Sequence, residues 1–321
     1  MMKASRGLTE EALSKQTDPS LLKESGLFKQ LTNRYSESRG KFLIFSCALL
    51  MIVAVIAITL FLMVQGLRSF VVDHINPWTF ITGMQWYPDS ATHPSFGALP
   101  FIFGSMAVTL LAAVIATPIA VGTAIFMAEL SQKWGQRLMQ PVIEILVGIP
   151  SVVYGLIGLL VVVPFMRIHF GGSGFNLITG ALVVGIMILP TVASIAADSI
   201  RAVPNSLREA SYAIGGTKWQ TIWRVVIPAA GANLITAIVL GMSRAFGEAL
   251  AVQMVIGNAR NLPHSLFDPA ATLTTIITLS MGNSTTGSVL NDALWSLGLV
   301  LLLISYLFIL LVRFLSRKRV L

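Results

Sequence analysis

Six apolar runs, each of twenty residues or more, leave this 321-residue chain few folds to choose from. They cover Phe42–Leu67, Leu99–Ala128, Pro141–Phe165, Leu177–Asp198, Ala229–Ile256 and Ala293–Val312. A helix needs about 20 consecutive apolar residues to cross a bilayer. Inside the hydrocarbon every backbone N–H and C=O must find its partner within the protein, which a helix provides in its own turns. The runs therefore predict an all-α integral membrane protein with six transmembrane helices. The charged fraction of 11% points the same way, because soluble domains carry about 25%. The single cysteine, Cys47, lies inside an apolar run, so no intrachain disulfide framework exists.

Charge then orients the spans. Lys and Arg number 22, and eighteen of them fall on one side of a six-span layout. That side holds the N-terminal leader 1–41, loop 129–140, loop 199–228 and a tail ending in the basic stretch 317–321. The opposite loops hold only Arg68, Arg167 and Arg260, and Arg244 stands alone inside the fifth run. The positive-inside rule predicts cytoplasmic N- and C-termini and a transmembrane domain over 42–316. The net charge of +8 is thus a topology signal. No basic stripe interleaved with aromatics suggests nucleic acid. The first run is longer than a signal-peptide core and follows 41 mostly polar residues, so it reads as a retained span. Within the leader, Leu21–Leu31 reads either as an amphipathic helix on the membrane or as a disordered tail.

The remaining loops and spans yield smaller expectations. His74, His93, His169 and His264 are scattered without ligand spacing, which predicts no metal site. Trp78, Trp86 and Tyr87 read as interfacial belt residues. Thr272–Met281 is apolar but too short to cross, which suggests a re-entrant or interfacial helix. Pro118, Pro150, Pro164 and Pro190 free carbonyls and kink helices, as hinges or for shape alone. Ala112, Ala116, Ala120 and Ala124 form a small-residue face for close packing against another span of this chain or against a second subunit.

The polar segment between the fourth and fifth runs carries the most specific pattern. It reads Glu209-Ala210-Ser211, a gap of three, Gly215, a gap of nine, then Val225-Val226-Ile227-Pro228. Arg208 and Glu209 read as surface charges, Gly215 allows the positive φ of a turn, and Pro228 suits the start of the next helix. This pattern resembles the coupling motif of ABC importer permeases. Further segments narrow the likeness: Ile143-Glu144-Ile145-Leu146-Val147-Gly148-Ile149-Pro150, Met187-Ile188-Leu189-Pro190-Thr191, Arg201-Ala202-Val203-Pro204, and Arg244-Ala245-Phe246-Gly247-Glu248 followed by Ala251-Val252-Gln253-Met254. Together they resemble the PstC-type permease family of bacterial phosphate-specific importers over about 96–258. Ala249-Leu250 departs from the family's usual Thr-Met pair and removes one hydroxyl there.

The resemblance implies a MetI-like type I importer permease fold in the bacterial plasma membrane. It also implies a PstA-like second permease, a PstB-like P-loop ATPase dimer that binds ATP-Mg, and a PstS-like extracytoplasmic phosphate-binding protein. No cofactor is expected in this chain beyond the lipid around it. The ATPase contact would be Arg208, Glu209, Ala210, Ser211 and Gly215. The substrate path would be lined by Arg244, Glu248 and Glu144.

The residues have their own logic. Arg244 and Glu248, four apart, would share one helix face, and a charge in mid-membrane costs several kcal/mol. Such a pair is either a structural ion pair between helices or the lining of a polar path. Glu144 and Asp198 sit at span ends, as boundary residues or, for Glu144 above all, as functional ones. No G-x-x-x-x-G-K-[ST], H-E-x-x-H or G-x-S-x-G pattern is present, so the chain reads as a non-enzyme powered by a separate subunit. Two other readings stay open: a permease for molybdate, tungstate or sulfate, and a stand-alone proton-coupled transporter or intramembrane enzyme. A secondary carrier would show internal duplication, and none is visible.

Overall fold

The computed structural model describes residues 19–88, 90, 94–131 and 134–317. The first leader residues, His93, Lys133 and residues 318–321 lie outside the described residues. Two compact units divide the chain at residue 61. In the first, α1 (Pro19–Val71) is already helical from its start, and it continues into the second unit. Of the two states open to Leu21–Leu31, the structure has the helical one. From residue 42 to 61 the large apolar side chains stay exposed, as a lipid-facing span requires.

The second unit holds the other five spans. Helix α2 (Pro77–Thr82) and a short hairpin, β1 (Trp86–Tyr87) with β2 (Ser95–Phe96), precede α3 (Leu99–Ile125). Then come α4 (Gln140–Gly148), α5 (Ser151–Ile157), α6 (Val163–Phe170) and α7 (Leu177–Arg201). The loop between the fourth and fifth spans folds as α8 (Asn205–Ala213) and α9 (Lys218–Thr221), and α10 (Ile227–Phe246) follows. Helices α11 (Leu250–Gln253), α12 (Leu273–Met281) and α13 (Val289–Arg317) complete it. Among the described residues, six helical stretches are long and apolar enough to cross a membrane, as expected.

Two spans differ from the sequence expectation. The third is broken at Ile149 and Pro150, whose backbones are extended, so the crossing stretch is Ser151–Phe170 and not 141–165. Proline removes an N–H and pushes the preceding residue out of the helical region. The Tyr154 hydroxyl donates to the Leu146 carbonyl across the break at 2.8 Å. The fifth is helical over Lys218–Phe246, then stops at Gly247, ten residues before the apolar run ends. Pro118 and Pro190, by contrast, sit inside continuous helices.

Prolines also explain a feature that hydropathy cannot show. Among the described residues, four π turns, with i→i+5 hydrogen bonds, interrupt the helices at Phe126–Leu130, Gly135–Met139, Gly158–Val162 and Ile222–Val226. The last three each end two residues before a proline: Pro141, Pro164 and Pro228. A ring that cannot donate and that crowds the i−4 carbonyl is relieved by widening the preceding turn. Pro228 thus stands in the first turn of α10, as expected, while the wide turn and α9 carry the helical stretch back to Lys218.

The core lies where α3, α7 and α10 meet. Ala112, Ala116, Ala120 and Ala124 are all buried, the first two against Val184 and Ile188 of α7, the last two beside Ala193, Ala196 and Ala197. The small-residue face therefore packs on a span of this same chain. On α10, a Cβ at Gly241 would stand 2.4 Å from Val192, so only glycine permits that approach. Lipid tails are as apolar as leucine, so this closeness is rewarded by dispersion contacts and not by exclusion of water. At the other end Trp86 is buried against Phe80, Phe96 and Phe101 in edge-to-face contacts. It is a core residue, not an interfacial one, while Trp78 and Tyr87 are exposed.

Candidate functional site

Two places carry the chemistry. The first lies where the fifth span ends. Arg244 occupies the last turn of α10, and Gly247 closes that helix. Glu248 therefore falls beyond the helix, and the two do not share a helix face. Nor do they form an ion pair: the Glu248 carboxylate accepts from the Ala251 N–H at 3.2 Å, at the entry to α11. The Arg244 Nη1 donates to the Thr191 hydroxyl of α7 at 2.8 Å. That is its one hydrogen bond among the described residues, and none of its other donors is a buried orphan. The guanidinium is half-buried, with donors to spare and no carboxylate partner.

Around it runs a seam of hydroxyls that the sequence reading did not single out. Thr274 at the start of α12 donates to the Glu248 carbonyl at 2.7 Å. Thr272 caps α12, and the Leu273 N–H donates to Ser105 of α3 at 2.9 Å. Irregular backbone at 247–249 is tolerated in a membrane only where protein or an aqueous cavity satisfies it, and these hydroxyls do part of that. Runs of Thr in an apolar segment were the available signal. Glu144 is not brought here. It is exposed on α4, accepts from Gln140 at 3.0 Å, and shares no bond with Arg244 or Glu248. Asp198 is an exposed boundary residue paired with Arg201 at 3.1 Å.

The second place is the loop between the fourth and fifth spans. Helix α8 buries none of its residues. Gly215 turns the chain with φ +83°, and Thr217 with Gln220 forms a capping box that starts α9. Glu209, Ala210 and Gly215 are exposed, and Ile214, 88% exposed, stands beside them. Ser211 is half-buried, with its hydroxyl 2.8 Å from that of Thr221. Arg208 is not a surface charge: its side chain is only 14% exposed and turns inward to Glu129, at 2.6 Å. The reason is local, since the carbonyls at the end of α7 and a buried carboxylate lie within its reach. Glu129 was read as the first residue of a loop, but it ends the second span, buried.

The chain that carries these two places is similar to known proteins in sequence and in fold. The family described as binding-protein-dependent transport system inner membrane component covers residues 120–320. The chain belongs to that family. This permease is 58% identical to the probable ABC transporter permease protein YqgH of Bacillus subtilis over 284 residues, 88% of this chain and 92% of that one. It is 36% identical to the phosphate transport system permease protein PstC of Pasteurella multocida, over 71% of this chain and 77% of the relative. PstC of Mesorhizobium japonicum is 35% identical over 75% and 79%. Among solved structures, a bacterial ABC transporter involved in alginate import has a TM-score of 0.60 at 14% identity, covering 89% of this permease and 99% of that chain. The inward-facing methionine transporter MetNI gives 0.53 at 18%, over 67% and 93%. The fold is that of a MetI-like, type I ABC importer permease, a multi-pass inner-membrane protein.

Proposed function

We propose that this permease is the PstC-type subunit of an ATP-driven importer of inorganic phosphate. The observation that carries the reading is Arg244: a permanently charged fork, half-buried at the break in the fifth span, held by a neutral hydroxyl and not by a counterion. Phosphate crossing a membrane must exchange water for donors, and a guanidinium matches two of its oxygens at once. Glu248, placed nearby but bonded elsewhere, lowers the local positive potential, so the stop is transient. The PstC relatives at 35–36% identity support phosphate over other oxyanions.

Motion would come from a PstB-like ATPase docking on the exposed side of α8 and the turn at Gly215, with Glu209, Ala210 and Ile214 as contacts. A PstA-like permease would complete the path, and a PstS-like protein would deliver phosphate. The test is uptake of radiolabelled phosphate in a strain lacking its own system. Arg244→Gln should still co-purify with the ATPase subunit while uptake falls roughly 10–100-fold, the worth of a charge-assisted hydrogen bond. Vanadate should stop the wild-type uptake. Normal uptake by Arg244→Gln removes the reading. Uptake that excess sulfate or molybdate suppresses as well as phosphate does would reassign the substrate.

A further inference from the structure

The exposed helix of the coupling loop presents a mechanical puzzle. Helix α8 has no fully buried residue, so apolar packing contributes little to holding it to the membrane domain. One side chain does most of that. Arg208 donates through Nε and Nη2 to Glu129 Oε1 at 3.0 and 2.6 Å, and through Nη2 to the Ile200 carbonyl at 2.9 Å. Through Nη1 it donates to the Val203 carbonyl at 2.6 Å and to Asn205 Oδ1 at 3.2 Å. A guanidinium has five N–H donors, and here all five are engaged inside this chain. None is left for a neighbouring subunit.

The partners belong to different spans. Glu129, 6% exposed at its side chain, sits in the π turn that ends the second span. Ile200 is in the last turn of α7, whose final carbonyls lack helical partners and favour a cation. Spans two and four are the pair that packs through the alanine face. A planar fork fixes distance and angle together, as a lysine ammonium does not.

We infer that Arg208 and Glu129 form a polar strap that joins the coupling helix to the cytoplasmic ends of spans two and four, so that the three move as one body. Arg208 is then a positioning residue for ATP-driven closure and touches neither ATPase nor substrate. Displacement of α8 is delivered through the strap to these two helices, of which α7 holds Arg244 through Thr191. The inference rests on ATP coupling as proposed above, and the test separates the two.

The assembled complex is purified with its ATPase subunit, and amide exchange in the outer segment 257–272 is followed with and without ATP plus vanadate. The unmodified complex should show a nucleotide-dependent change there. Glu129→Gln keeps the shape and one acceptor but not the charge, and Arg208→Lys keeps the charge but not the fork. Both should retain the ATPase subunit within about twofold of the unmodified complex and lose at least fivefold of the exchange response, because breaking either end leaves the other unpaired. The double variant should be no worse than the poorer single one, since both act on one link. A full response in either variant overturns the strap, as does additive damage in the double. Loss of the ATPase subunit from either variant overturns it too, by making Arg208 a subunit contact. An unmodified complex that gives no response overturns the coupling reading and the strap with it.

Discussion

Arg208 and Arg244 show how far a residue's duty depends on the company its side chain keeps. The first spends every donor on its own chain, and the second spends one. Neighbours in sequence distinguish them only in part: Ile200, Val203 and Asn205 lie close to Arg208 in the chain, but the Glu129 carboxylate and the Thr191 hydroxyl come from 79 and 53 residues away. Thr191 holds the fork of Arg244 in place, so Thr191→Val should loosen it without removing charge. We expect the KM for phosphate to rise about fivefold, the worth of roughly one hydrogen bond, with the maximal rate nearly kept; uptake kinetics would show it. Asp73, in the loop after the first span, is different again. Burial, and next to it the Asp292 carboxylate, raise its pKa above the ordinary 3.8. One of its oxygens, Oδ2, is buried without a partner. A raised carboxyl binds its proton more tightly in the folded state, so stability is lost as pH climbs from the ordinary value through the raised one. Asp73→Asn should therefore raise the melting temperature by about 1 °C near neutral pH. The gain should vanish below the unfolded pKa. A thermal-shift series from pH 3 to pH 8 checks both halves.

At the scale of elements, hydropathy located all six spans but misplaced the ends of two of them, the third and the fifth, for a physical reason. Apolar composition continues across Ile149–Pro150 and across Gly247–Ala249, whereas helical hydrogen bonding does not. Proline and glycine carry that information in single residues, which averaging over a window erases. Three of the π turns end two residues before a proline, at Pro141, Pro164 and Pro228, but Phe126–Leu130 does not, and Pro118 and Pro190 have no such turn before them, so proline marks these sites only in part. A test follows for the turn between α9 and α10. With alanine at 228 the missing donor returns and the crowding ends, so Ile222–Val226 can wind as an ordinary α-helix. The amides of 222–226 in Pro228→Ala should exchange about tenfold more slowly, since narrow turns open less often. One residue fewer per wide turn rotates α9 against α10 and breaks the Ser211–Thr221 contact, so uptake should fall while the variant still inserts. Unchanged exchange in 222–226 would mean that the wide turn owes nothing to its proline.

For the whole molecule, lipid changes which forces specify the structure. Apolar surface alone cannot bring one span to another there, so the core relies on shape: the alanine face of α3 on α7, Gly241 against Val192, and a few polar links. The shape was legible as a small-residue repeat, whereas its partner was not, because many apolar helices offer a compatible groove. Orientation is governed by something else again, the distribution of Lys and Arg. Eighteen lie on one side and three on the other, spread over four segments. Eight of the eighteen belong to the leader and ten do not, so the bias survives if the leader is neutralised. The rule weighs charges close to span ends on short loops, and loops 129–140 and 199–228 with the C-terminal end supply those. Replacing all eight leader cations by Gln should therefore leave both termini cytoplasmic. A fluorescent protein fused after Leu321 should still fluoresce, and alkaline phosphatase inserted at Ser173 should still be active. If the phosphatase activity moves to the C-terminus instead, the leader alone orients the protein, and the loops that hold Arg208 are cytoplasmic only because the first span puts them there.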